Sequence, residues 1–198
     1  MKQIVVATQN KGKIKEIKEM LVDLPVEVKS MGEVGMDIDI EENGTTFEEN
    51  AIIKAEAISA LLEDTIVIAD DSGLEIDYLD KAPGVYSARY LGKDTPYEVK
   101  NQMILEKLKS VEKEKRTARF VCAMAMSQKG KKTLTTKGIL EGYIGYEATG
   151  SNGFGYDPIF YVEEWGTSTA VLSSEQKNLI SHRGKALKQM KEQLKAML

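Results

Sequence analysis

Cysteine and histidine are nearly missing from this 198-residue chain, which holds one of each, Cys122 and His182. A lone cysteine forms no intrachain disulfide, and that fits a reducing compartment. It lies in the apolar run 120–126, where a buried, inert thiol is the ordinary outcome. With one histidine and one cysteine, clustered zinc sites are excluded. Any metal must therefore be held by oxygen ligands, which points to magnesium or manganese. Long hydrophobic runs are missing as well: nothing approaches the ~20 apolar residues of a membrane span, and the run after MKQ is too short for a secretory signal. A cytoplasmic protein is expected. Excess positive charge is the third absence. Twenty-seven basic against 31 acidic residues give a net charge of -4, without the basic footprint of a general duplex-binding protein. A phosphate ligand remains open, because a few lysines focused in one place suffice for it.

What is present suits an α/β protein. The hydrophobic fraction of 42% affords a core without staples, in one domain or one domain of two lobes over 1–198. Residues 3–8 predict a buried strand, and 13–24 a helix with Ile14, Ile17, Leu21 and Leu24 at helical spacing, stopped by Pro25. A second strand is expected at 26–30, then an irregular acidic stretch to Asn43. Thr46 and Glu49 form a capping box for a helix over 47–62, and the β-branched run 65–69 reads as a central strand. Thr95-Pro96-Tyr97-Glu98 opens a helix to about Lys109 with Val99, Met103 and Leu108 inward. Strands at 117–127 and 133–144 form an antiparallel hairpin. A glycine-rich loop over 145–157, a short strand at 158–162 and an amphipathic helix at 185–197 complete the chain. Alternating helices and strands plus a hairpin give a mixed sheet, with no repeat and no linker.

Five segments carry chemistry, each with a plainer alternative. Thr8-Gln9-Asn10-Lys11-Gly12-Lys13 joins strand to helix, where backbone N–H groups and a lysine suit an anion; it is otherwise an ordinary turn. Glu41-Glu42-Asn43-Gly44 is a solvated loop or a source of ligands. Downstream, Asn50 and Lys54 share one helix face, and Lys54 is either a snorkelling edge residue or a phosphate contact. Asp70-Asp71-Ser72-Gly73 is read as following the end of a buried strand. Two adjacent aspartates there are costly unless a metal ion answers them, and strand ends are where open α/β sheets place ligands; the alternative is a turn pair. Phe154-Gly155-Tyr156-Asp157 sets aromatics on a glycine loop that can lie against a flat base or simply anchor a turn. Last, Lys177 and the adjacent His182 and Arg183 precede an amphipathic segment and are either surface polar residues or ligand contacts.

In combination these segments resemble the inosine triphosphate pyrophosphatase family. The match runs in order through TQNKGK (8–13), EENGTTFEENAIIKA (41–55), ADDSG (69–73), PGVYSARY (83–90), GFGYDPIF (153–160) and EQKNLISHRGKAL (175–187). The resemblance implies an elongated, two-lobed α/β fold with a mixed sheet and a central substrate cleft, usually a homodimer. It implies hydrolysis of ITP, dITP and XTP to the nucleoside monophosphate and pyrophosphate. It makes Glu41 and Asp71 ligands of Mg²⁺, with Mn²⁺ as a substitute, and Asp71 the acceptor of the attacking water's proton. Thr8, Gln9, Asn10, Lys11, Gly12, Lys13, Lys54 and Ser72 would face triphosphate and sugar; Phe154, Gly155, Tyr156, Asp157, Lys177, His182 and Arg183 would surround the purine. The substrate is then a small nucleotide, with neither nucleic acid nor membrane as partner. A septum-inhibitor-type pyrophosphatase acting on pyrimidine or modified nucleotides is the nearest competing enzyme; the GFGYD loop and the SHR segment favour the purine family. A nucleotide sensor without catalysis would have no use for a water-activating acid such as Asp71.

Overall fold

The computed structural model describes residues 2–198, and they divide into two compact units. The first runs to Asp71 and adds Cys122–Gly138 and His182–Leu198; the second takes Ser72–Val121 and Ile139–Ser181.

In the first unit β1 (Lys2–Val6) pairs parallel with β2 (Val26–Ser30) on one side and with β3 (Ile66–Ile76) on the other. Parallel neighbours need a crossover, and α1 (Lys11–Met20) supplies it between β1 and β2. Asn10 caps α1, its side chain accepting from the Lys13 N–H. The capping box of Thr46 and Glu49 is present and starts α2 (Phe47–Ser59). Ile4, Val6, Ile66, Ile68 and Met124 form the core with Leu187, Met190 and Leu194 of the last helix, α5 (His182–Lys195).

The second unit has its own core, in which Leu74, Ile76, Ile104, Leu108, Ile144 and Phe160 are buried together. It holds α3 (Tyr97–Lys107), β6 (Phe160–Val162), β7 (Thr167–Ser168) and α4 (Ser174–Ile180). β4 (Thr117–Ser127) and β5 (Leu134–Ile144) contribute, like β3, to both units. The hydrogen-bonded order is β2-β1-β3-β4-β5-β6-β7. The six residues between β4 and β5 are too few for a parallel crossover, so the predicted hairpin stands; β5, β6 and β7 are antiparallel neighbours. The fold is a mixed-sheet α/β fold. Among the described residues no helix is long and apolar enough to cross a membrane.

Several boundaries differ from expectation. The central strand does not stop at Ala69: β3 is an 11-residue strand with Asp70 and Asp71 inside it. Its alternation resumes at Leu74 and Ile76, both fully buried, so the strand has a second core to enter. On α3 the inward residues are Lys100, Asn101 and Ile104, with Leu108 just beyond, while Val99 and Met103 are exposed. Lys100 takes the inward face because its ammonium reaches the Ala88 carbonyl at 2.6 Å and covers the Tyr97 ring. Pro96 occupies the cap position itself, and Thr95 donates to the Leu91 carbonyl instead of capping. The strand expected at 158–162 opens as a 3-10 turn over Asp157–Ile159, and α5 starts at His182 rather than at 185.

One glycine ties this framework to the site. A Cβ on Gly138 of β5 would collide with the His182 carbonyl and lie 2.7 Å from the Ala186 N. Gly138→Ala must push the first turn of α5 away from the sheet. Overpacking of this kind costs ~1–3 kcal/mol, so the melting temperature should fall. An unchanged Tm would mean that α5 is not seated on β5 as described.

Candidate active site

In the first unit, charge collects around the two aspartates of β3. Asp70 is fully buried and Asp71 nearly so. Lys13, from the first turn of α1, places its ammonium 3.0 Å from Asp70 Oδ2. Arg183, at the start of α5 and 2% exposed, donates to the same oxygen through Nε and Nη2 at 3.3 and 3.2 Å. Its Nη1 donates to Glu16 of α1. Asp70 is thus the anchor of a buried network that fixes the ends of two helices against the strand. Burial alone would disfavour the Arg183 charge, but Asp70 and Glu16 raise its pKa above the usual value and hold it charged.

Asp71 points to a different set. Lys54 of α2 lies 3.5 Å from Asp71 Oδ1 and 2.9 Å from Glu42 Oε1. Asn50, one turn earlier, donates from Nδ2 to Asp71 Oδ2 at 3.1 Å. Lys54 is desolvated, yet Asp71, Asp70 and Glu42 raise its pKa. Burial pushes the Asp71 carboxyl up, with Glu42 adding to the shift while Lys54 and Lys13 oppose it. The two lysines do not fully compensate its desolvation, so a further cation there would be stabilising.

No group of three or more His, Cys, Asp or Glu side chains is arranged to hold a metal among the described residues. A closed protein cage is not what magnesium requires. It commonly takes one or two carboxylates and completes its shell with water and substrate phosphates. An under-compensated Asp71 beside the acidic 41–42 turn suits that mode. Glu41 itself is exposed, and it is Glu42 that meets Lys54.

The 8–13 segment presents an open rim. Gln9, Asn10 and Lys11 are exposed, Thr8 accepts from the Asn10 N–H at 3.2 Å, and Gln9 reaches Asp37 at 3.1 Å. The α1 N-terminus beyond it carries the dipole that favours anions.

The 153–157 loop is built within the second unit. Gly153 and Gly155 both take positive φ, +72° and +67°, and a Cβ on Gly153 would run into the Asp157 carboxylate. Asp157, 2% exposed, accepts from Lys177 Nζ at 2.6 Å, the Phe154 N–H at 2.8 Å and the Thr169 hydroxyl at 2.8 Å. Its carboxylate therefore bolts the loop to α4. The Lys177 ammonium also sits 4.7 Å from the centre of the partly exposed Phe154 ring. Tyr156 is buried, donates to the Ser87 carbonyl at 2.7 Å and meets Tyr97 edge-on. Phe154 is partly exposed, whereas Tyr156 and Asp157 are buried. Ser72, the first residue of this unit, is half-buried.

Sequence reasoning missed three participants. Glu16 is hidden in a lysine-rich helix that reads as solvated, and Asn50 had no assigned task. α4 had a usable signal: Ser173 and Gln176 form a capping box.

An α/β chain whose buried aspartates on β3 are answered by Lys13 and Arg183 at helix starts and by Lys54 within α2 gathers charge of the kind that suits a phosphate-bearing ligand. The chain belongs to the Ham1 family, whose model matches residues 4–193. It is 51% identical to the dITP/XTP pyrophosphatase of Bacillus subtilis, over 99% of this chain and 98% of that protein. It is 46% identical to the dITP/XTP pyrophosphatase of Clostridium perfringens, over the full length of both. The solved Ham1 protein of Staphylococcus aureus superposes with a TM-score of 0.87 at 44% identity, again over all of both chains.

Proposed function

We propose that this protein hydrolyses deaminated purine nucleoside triphosphates (ITP, dITP and XTP) to the monophosphate and pyrophosphate, and so clears them from the nucleotide pool. The observation that carries the reading is the buried Asp70–Asp71 pair with its lysines, in a chain about half identical to relatives named for that activity.

Asp71 and Glu41 would hold the divalent ion, and Asp71 takes the proton of the attacking water as general base. Magnesium, or manganese in its place, supplies counter-charge to the phosphate oxygens when bound. Lys13 and Lys54 hold the polyphosphate and offset charge developing on the departing pyrophosphate. Thr8 to Gly12 add backbone and side-chain donors at the start of α1, with Ser72 toward the sugar. On the base side, Phe154 offers its ring, Gly155 lets backbone approach, and Tyr156, Asp157 and Lys177 hold the loop in shape. The family resemblance assigns His182 and Arg183, both buried at the start of α5, to the purine edge, where inosine and xanthine carry an acceptor and adenine a donor. Donors left unpaired against adenine discriminate by up to ~10⁴–10⁵-fold. The single buried cysteine supports a cytoplasmic setting, and the family resemblance supports a homodimer acting on small nucleotides rather than nucleic acid or membrane.

A panel of ITP, XTP, dITP, GTP and ATP, each with and without EDTA, tests this. Pyrophosphate release should favour the first three and stop in EDTA, because the proposed ligands are hard oxygens. Full turnover in EDTA, or equal rates on ATP, contradicts it.

A further inference from the structure

Asn50 is fully buried in the first turn of α2, and its amide is used at both ends. Its Oδ1 accepts from the Gly44 N–H at 2.8 Å, and its Nδ2 donates to Asp71 Oδ2 at 3.1 Å. The orientation follows from chemistry. A backbone N–H only donates, so the atom facing Gly44 must be the oxygen, and the NH₂ is left for the carboxylate. The helix start cannot drift, since Thr46 and Glu49 close the capping box and the Asn50 N–H bonds the Thr46 carbonyl at 3.2 Å. Gly44 is held equally closely: a Cβ there would stand 2.6 Å from Asn50 Oδ1. The same side chain therefore fixes the rotation of the Asp71 carboxylate and the position of the turn that carries Glu41 and Glu42.

We infer that Asn50 is a positioning residue, a two-ended clamp that aligns Asp71 with the acidic 41–44 turn for the hydrolytic step. The inference rests on the proposed pyrophosphatase activity. Lys54 holds Asp71 through charge, and a charge contact at 3.5 Å to Oδ1 permits rotation; the directional Asn50 bond to Oδ2 fixes the rotation of the carboxylate. Partners that orient ligating or reacting groups are worth about tenfold to a hundredfold in activity or metal affinity.

Two substitutions separate the arms. Asn50→Asp keeps an acceptor for the Gly44 N–H and replaces the donor to Asp71 with a repelling oxygen; Asn50→Ala removes both contacts. Both are measured for ITP turnover, for calorimetric affinity toward a non-hydrolysable α,β-methylene ITP with Mg²⁺, and for melting. The expected result is a kcat about tenfold to a hundredfold lower in each folded variant, with analogue affinity within about threefold of the parent. The inference is overturned if a folded variant keeps the parent kcat, or if kcat and affinity fall together. It is overturned too if neither variant folds, since Asn50 then serves the fold alone. A parent protein that releases no pyrophosphate from ITP rejects the proposed activity instead, and that outcome is read before any variant is made.

Discussion

Asp71→Asn is expected to lower kcat for ITP by ~10²–10⁴-fold, the usual cost of losing a positioned general base, while the nucleotide still binds. Asparagine keeps the size of the side chain and removes both its charge and its basicity. The loss should appear in kcat, because Lys13 and Lys54, the groups proposed to hold the polyphosphate, remain. Lys54 keeps its 2.9 Å partner Glu42, so the substitution does not strand a buried cation. Asp70→Asn should behave differently. Asp70 is enclosed by Lys13 and Arg183, so its loss belongs to the framework and should register first as lost stability. Normal turnover by Asp71→Asn with inactivity of a stably folded Asp70→Asn would reverse the assignment of the two carboxylates.

The second large effect is expected at Arg183, and it has two readable components. Its guanidinium is buried, bonded to Asp70 and Glu16. Arg183→Ala leaves both acids without that partner, and breaking a buried pair from one side costs ~3–5 kcal/mol. For a chain of this length that is on the order of 6–20 °C in Tm. Recognition of the purine adds a second component. Arginine donates and cannot accept, so its loss should reduce kcat/KM for ITP more than for ATP. Lower stability with an unchanged ITP/ATP ratio would remove Arg183 from the base-recognition set and leave it as a brace. An unchanged Tm would contradict the buried network.

Both expectations turn on residues whose setting the sequence conveyed unevenly. The capping box at Thr46 and Glu49 was legible because it is local, with side chains and backbone only three residues apart. The hairpin 117–144 and the core-facing Leu187, Met190 and Leu194 were legible from periodicity. Asp70 and Asp71 were recognisable as costly, but their place inside β3 was not. Carboxylates in a strand interior look like its end until Lys13, Arg183, Lys54 and Asn50 are brought in from distant segments. The inward face of α3 was misread for a related reason. Lys100 counts as solvent-facing by type, and only its bond to the Ala88 carbonyl makes it core. Asp157 was legible as part of the glycine loop, while its bonds to Lys177 and Thr169, which show it as the loop's anchor, depend on tertiary contacts.

The central claim concerns which phosphorus is attacked, and one isotope experiment addresses it. ITP is hydrolysed to completion with Mg²⁺ in ¹⁸O-enriched water, and the products are weighed by mass spectrometry. Attack at the α-phosphorus predicts inosine monophosphate carrying one ¹⁸O and an equal amount of unlabelled pyrophosphate. Label in the pyrophosphate, or inosine diphosphate with orthophosphate, would contradict it.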